Sequence, residues 1–155
     1  MDEYLIHAEA LTAEAFAPFG QILCTEPDEA IIGLRDREKW LLNILSYVHR
    51  PLVVDHLNAH HKATQALIPL GKPALLVVAP PGTVFASVAD LAHLRAFVLD
   101  GSAGVNLGFG TWHWGPYPVL DHVHLVNLQG RGFADDNEVA HLARDLDSVV
   151  RVVLS

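Results

Sequence analysis

Short apolar segments, each cut off by glycine, proline or a polar turn, leave this chain few folds to adopt. Trp40–Val48, Leu52–His60, Thr64–Leu70 and Pro73–Ala79 are rich in β-branched, leucine and aromatic residues, with Arg50-Pro51 and Gly71-Lys72 among the breaks between them. Runs of that length and spacing predict strands, and four in succession predict a sandwich or barrel. Further strands are expected over Arg95–Leu99, Val105–Leu107, Thr111–Trp114 and His122–Leu128, with Gln21–Cys24 before the series and Val149–Leu154 closing it. Three short helices are expected at the periphery. One is capped by Thr12 and stopped by Pro18 and Gly20; one starts at the capping box Ser87–Asp90 and reaches about Leu94. The third starts at a second capping box, Asp135–Glu138, and runs along the stripe Val139, Leu142, Ala143, Leu146 to about Asp147. Glu26 to Glu38 is polar and turn-like, and reads as a mobile loop.

The 155 residues read as one domain, 1–155, with no repeat, low-complexity tract or linker to divide them. Hydrophobic residues make up 51% and charged residues 18%, a balance that excludes intrinsic disorder, and no apolar run reaches the roughly 18 residues of a membrane span. Net charge is −8 and there is no Lys/Arg run, so the electrostatic footprint of a nucleic-acid binder is missing. The start Met1-Asp-Glu-Tyr carries acids where a signal peptide carries Lys or Arg, and the expected location is cytoplasmic. Cys24 is the one cysteine, which rules out an internal disulfide and a multi-thiolate zinc site; its neighbours Ile22 and Leu23 suggest a core thiol.

Gly104–Pro118 crowds Phe109, Trp112, His113, Trp114 and Tyr117 among four glycines and two prolines. If Trp112, His113 and Trp114 alternate as a strand, His113 faces away from both tryptophans. That is compatible with a glycine-kinked barrel corner holding a half-buried histidine, and also with a pocket residue. His56, Asn58 and His60 alternate onto one strand face, which is either solvated or functional. His122 and His124 share a face with Val126, the pattern of a surface strand, while Val123, Leu125 and Asn127 take the other. Seven of the ten histidines gather in two groups, His49, His56, His60 and His61 and then His113, His122 and His124, which suggests a shared site.

The spacing Asn58-x-His60, then Gln65 and Gly71, is close to the first metal motif of the cupins. Gly108-Phe-Gly110-Thr-Trp-His113 keeps the second glycine and the histidine of their Pro-x-Gly-x-x-His motif. The parent pattern binds a divalent metal through three His and one Glu, which here would leave His60, Gln65 and His113 as the ligand set. Those are neutral donors, so no metal or other cofactor is expected to be required. More narrowly, His60-His-Lys-Ala-Thr-Gln65-Ala-Leu-Ile-Pro-Leu70 together with Gly104–His113 resembles the ureidoglycolate lyase family, and Phe16–Gly20 and Asp136-Asn-Glu138 extend the resemblance over nearly the whole chain.

The resemblance implies a cupin-type β-barrel (a double-stranded β-helix or jelly roll), a homodimer, and cleavage of ureidoglycolate to glyoxylate and urea in purine nitrogen recovery. Beside it, His60 and His113 are the candidate acid–base pair, because imidazole titrates near neutral pH, and Asn58, Lys62, Gln65, Asn106 and Trp112 are the candidate substrate-binding residues. The chain also departs from the family. Asn58-Ala-His60-His61 stands for Glu-Arg-His-Pro, Phe109 for an arginine, Trp114 for a histidine, and Leu128-Gln129 for an Asp-Arg pair. The substrate carboxylate would then fall to Lys62, Arg131 or N–H groups near Gly108 and Gly110. Glu138 matches a family position, but its capping-box role suffices for it. A non-catalytic small-molecule-binding cupin and a metal-dependent cupin of another reaction class are the alternatives.

Overall fold

The computed structural model describes residues 1–25 and 29–154. Thirteen strands are present among them: β1 (Asp2–Ala10), β2 (Gly20–Leu23), β3 (Trp40–Val48), β4 (Val53–Val54), β5 (His56–Ala59), β6 (Gln65–Pro69), β7 (Ala74–Ala79), β8 (Arg95–Leu99), β9 (Gly104–Leu107), β10 (Trp112–Pro118), β11 (His122–Gly130), β12 (Glu138–His141) and β13 (Ser148–Val153). Two short helices, α1 (Ala13–Phe16) and α2 (Leu142–Leu146), and a 3-10 turn at Val88–His93 complete the elements. The strands form an eight-stranded sheet, β12-β5-β10-β7-β8-β1-β13-β4, and a five-stranded sheet, β2-β9-β6-β11-β3. The protein is mainly β, a barrel in which the two sheets enclose one core and the larger sheet carries a second on its outer face.

β7 explains this arrangement. All six of its residues are buried. Ala74, Leu76 and Val78 join Phe16, Phe97, Val105 and Leu125 between the sheets. Leu75, Val77 and Ala79 join Ile6, Val54, Leu91, Leu142 and Val152 on the opposite face, where β1, β4, β13, α2 and the 3-10 turn cover them. A strand covered on both faces needs an unbroken apolar run, and Ala-Leu-Leu-Val-Val-Ala supplies one.

β3 has the predicted bounds, and Thr12 Oγ1 caps α1 by accepting from Ala15 N–H at 3.1 Å. At the predicted Ser87 box, Ser87 N–H donates to the Asp90 carboxylate at 2.8 Å, although the helix is a 3-10 turn. Other expectations need correction. Leu52–His60 is two strands, because β4 pairs with β13 while β5 lies between β10 and β12. β10 continues past Trp114 to Pro118 through a register shift. β1 has no counterpart in the sequence reading; it pairs in parallel with both β13 and β8. Cys24 is exposed, not a core thiol.

Asp135–Glu138 is not a capping box. Glu138 opens β12, which pairs with β5 from Glu138↔Ala59 to His141↔His56, and the helix starts only at Leu142. Strand pairing overrides the local cap signal. In the predicted loop 26–38, Glu26, Pro27 and Asp28 lie outside the described residues. Gly33 and Arg35 in the remainder are tied to the segment after β5: Gly33 N–H donates to Thr64 Oγ1 at 3.0 Å and Arg35 N–H to Lys62 O at 2.7 Å. His122 and His124 lie on the outer side of β11, as expected of a surface strand, and their ring centroids are 5.5 Å apart. Among the described residues no helix is long and apolar enough to cross a membrane.

Candidate active site

Alternation along β10 decides which way its rings point. Trp112 pairs with Ala79 and Trp114 with Val77 on the outer face, whereas His113 pairs with Val78, whose side chain faces the inter-sheet core. His113 is therefore turned into the barrel, 7% exposed, opposite both tryptophans. His60, at the end of β5, meets it there with ring centroids 5.2 Å apart.

Both imidazoles are oriented by backbone carbonyls. His113 Nδ1–H donates to Thr111 O at 3.1 Å, and His60 Nδ1–H donates to Asp136 O at 2.6 Å. A carbonyl can only accept, so Nδ1 carries a proton in each ring and Nε2 is the nitrogen left to exchange one. Burial pushes the His113 pKa down to about 4; the neighbouring His60 adds to the depression, and the Thr111 carbonyl opposes it. His113 is a neutral base at physiological pH. Asp136 also holds the loop that carries His60, because its carboxylate accepts from His61 N–H at 3.0 Å and Lys62 N–H at 2.7 Å.

The two histidines line a cavity of about 500 Å3 with Asn58, Gln65, Tyr47, Leu41, Leu45, Phe133 and others. On its wall runs a chain of amides. Gln65 Nε2–H donates to Asn127 Oδ1 at 2.9 Å, and Asn127 Nδ2–H donates to Asn43 Oδ1 at 2.9 Å. Gln65 Oε1 is buried without a partner.

Of the residues singled out in the sequence, His60, His113, Asn58 and Gln65 come together here. The others do not. Trp112 is on the far face, where its indole N–H donates to Thr83 O at 3.0 Å and its ring meets Phe85 edge-on. Asn106 alternates with the core residues Val105 and Leu107, so it too faces away, and its Nδ2–H donates to Ile31 O at 3.1 Å. Lys62 and Arg131 are exposed and do not line the cavity. The N–H groups of Gly108 and Gly110 already donate to Phe19 O and His60 O, at 3.0 and 2.7 Å, so they are not a ready carboxylate cradle. Glu138 accepts from His61 Nε2 at 2.8 Å on the surface.

The sequence reading gives no site role to Asn43, Asn127, Gln129 or Asp136. Asn127 had left a signal, a polar residue on the otherwise apolar face of Val123 and Leu125. A divalent cation, which the cupin pattern implies, would have His60, His113 and Gln65 as donors. All three are neutral, and among the described residues no group of three His, Cys, Asp or Glu is placed to hold a metal. With two imidazoles, one amide and no anionic donor, this set offsets little of a divalent ion's charge and is a poor fit for a resident metal.

Comparison with known proteins bears on the chemistry. The family model described as ureidoglycolate lyase matches residues 35–149. The chain belongs to the ureidoglycolate lyase family. It is 35% identical over 148 residues to the ureidoglycolate lyase of Pseudomonas syringae pv. syringae (strain B728a), covering 80% of this chain and 83% of that one. It is 37% identical over 156 residues to that of Pseudomonas paraeruginosa (strain DSM 24068 / PA7), covering 80% and 83%. Among solved structures it is similar to RmlC from Streptococcus suis in complex with dTDP-D-xylose, with TM-score 0.37, 14% identity and coverage of 59% and 44%.

Proposed function

We propose that this member of the ureidoglycolate lyase family cleaves the C–N bond of a ureido hemiaminal, as in ureidoglycolate to glyoxylate and urea, with His113 as base and His60 as acid. The observation that carries this reading is the pair of Nδ1-anchored imidazoles side by side on the cavity wall, ring centroids 5.2 Å apart. His113 Nε2 takes the hydroxyl proton, the carbonyl forms, the C–N bonding pair leaves on nitrogen, and His60 supplies the proton that completes urea. Burial keeps His113 neutral, which fits it to be the base. Asn58 and Gln65 bind the ureido group, and no step passes through a metal. Purified protein given ureidoglycolate or its amide should release urea and the aldehyde in equal amounts; turnover of neither would defeat the reading.

A second reading, a non-catalytic small-molecule binder, is favoured by one observation: the described cavity lining contains no charged residue for a carboxylate substrate. It predicts ligand-induced stabilisation without turnover.

The homodimer and the cytoplasmic location belong to the same proposal. Support for a dimer comes from β3, an edge strand whose outer face exposes Leu42, Ile44 and Val48 at 67%, 56% and 74%. An open apolar edge of nine residues invites antiparallel pairing with a second copy across a two-fold axis.

A further inference from the structure

The lining of the cavity points to a narrower substrate class, an inference that rests on reading the cavity as the ureido site. Among the described residues it presents the carboxamides of Asn43, Asn58, Gln65, Gln129 and Asn137 and two imidazoles, but no Lys, Arg, Asp or Glu. Two cations of neighbouring segments are engaged elsewhere. Arg50 lies behind the wall, its Nη2–H donating to Pro116 O at 3.1 Å and its guanidinium 4.1 Å from the Tyr117 ring. Arg35 sits 3.7 Å over the Phe109 ring.

A carboxylate entering this space would give up hydration with no Lys or Arg to replace it, and only His60 in its acid form could offer it a charge. A carboxamide would not meet that cost, because amide donors and acceptors match the amides of the wall. Gln65 Oε1, buried without a partner, calls for an N–H donor, which the ureido group of any such compound has. The volume of about 500 Å3 also suits a ligand larger than a two-carbon acid, and Leu41, Leu45 and Phe133 offer it apolar contact.

We propose that the cavity takes uncharged ureido compounds, with a carboxamide, an ester or an apolar group in place of the carboxylate of ureidoglycolate, in preference to the carboxylate itself. The bond changes are those of the lyase reaction: the hydroxyl proton leaves, the carbonyl forms, and the departing nitrogen takes up a proton to give urea and an uncharged aldehyde.

Ureidoacetate and ureidoacetamide test this directly, since they differ by one oxygen-for-nitrogen replacement and lack the hydroxyl that cleavage requires. Titration of the full chain, followed by calorimetry and by the imidazole NMR signals of His60 and His113, should show ureidoacetamide binding at least about tenfold tighter, with those signals moving. Equal or tighter binding of ureidoacetate, or no movement of those signals by either ligand at millimolar concentration, would overturn the proposal. Urea release from ureidoglycolate and from its amide, measured in parallel, separates the two readings. Protein that splits ureidoglycolate yet prefers ureidoacetate overturns the specificity alone. Protein that binds ureidoacetamide beside the histidines but releases urea from neither compound overturns catalysis and supports the specificity.

Discussion

Replacing His113 by phenylalanine should flatten the acid limb of the protein's stability curve. In the folded chain burial holds the His113 pKa at about 4, against an ordinary value of 6.5. Between those two pH values the unfolded chain binds a proton that the folded chain refuses, so stability rises with pH through that window. The contribution of the neutral imidazole is fully present above pH 6.5 and is lost as the pH falls toward 4. Moving the titration that far corresponds to roughly 3 kcal/mol at pH 4. Carboxylates also titrate in acid, so the useful quantity is the difference between wild type and His113→Phe, measured by urea unfolding from pH 7.5 down to about 4. The wild type should lose roughly 3 kcal/mol relative to the variant across that range, which is a relative midpoint shift of about 1–3 M urea. Parallel curves would refute the burial argument, and a wild type that gains on the variant in acid would reverse its sign.

Asp136→Ala removes the carboxylate that holds His61 N–H and Lys62 N–H, so His60 should lose its alignment. A fall in kcat of about tenfold to a hundredfold is expected, largely restored in Asp136→Asn, whose amide oxygen can still accept. Chelator treatment followed by metal analysis should leave urea release unchanged, because the donors are neutral; activity lost with chelator and regained with a divalent ion would contradict this. Ile44→Asp on the outer face of β3 should convert dimer to monomer in sedimentation equilibrium without unfolding the barrel, and an unchanged mass would reject that face as the interface.

The strands were legible where breakers bound them. Trp40–Val48 appears with its predicted ends because Arg50-Pro51 follows it and because its pairing with β11 is a simple antiparallel ladder. The alternation of Trp112, His113 and Trp114 was equally legible, since a period of two needs no knowledge of neighbours. Distant pairing was not. β1 and β13 lie at opposite ends of the chain and meet from Asp2↔Ser148 onward, and no local pattern announces that these strands cover the outer face of β5, β10 and β7. The same gap separates Asn106 from Asn127. Both are asparagines in apolar strands, but with several strands buried on both faces, composition alone does not say which face is the barrel interior. At Glu138 a valid local signal was outcompeted by pairing with β5, and the His60–His113 pairing became apparent only through a resemblance, because 53 positions separate the two rings.

The most direct test of the account is steady-state urea release with ureidoglycolate and its amide as substrates, for wild type, His60→Gln and His113→Gln, with folding checked by thermal unfolding. Wild type should turn over at least one of them with aldehyde and urea in equal amounts, and each variant should lose about 10²- to 10⁴-fold in kcat while remaining folded. Folded variants that retain wild-type turnover would contradict the assignment of catalysis to this pair.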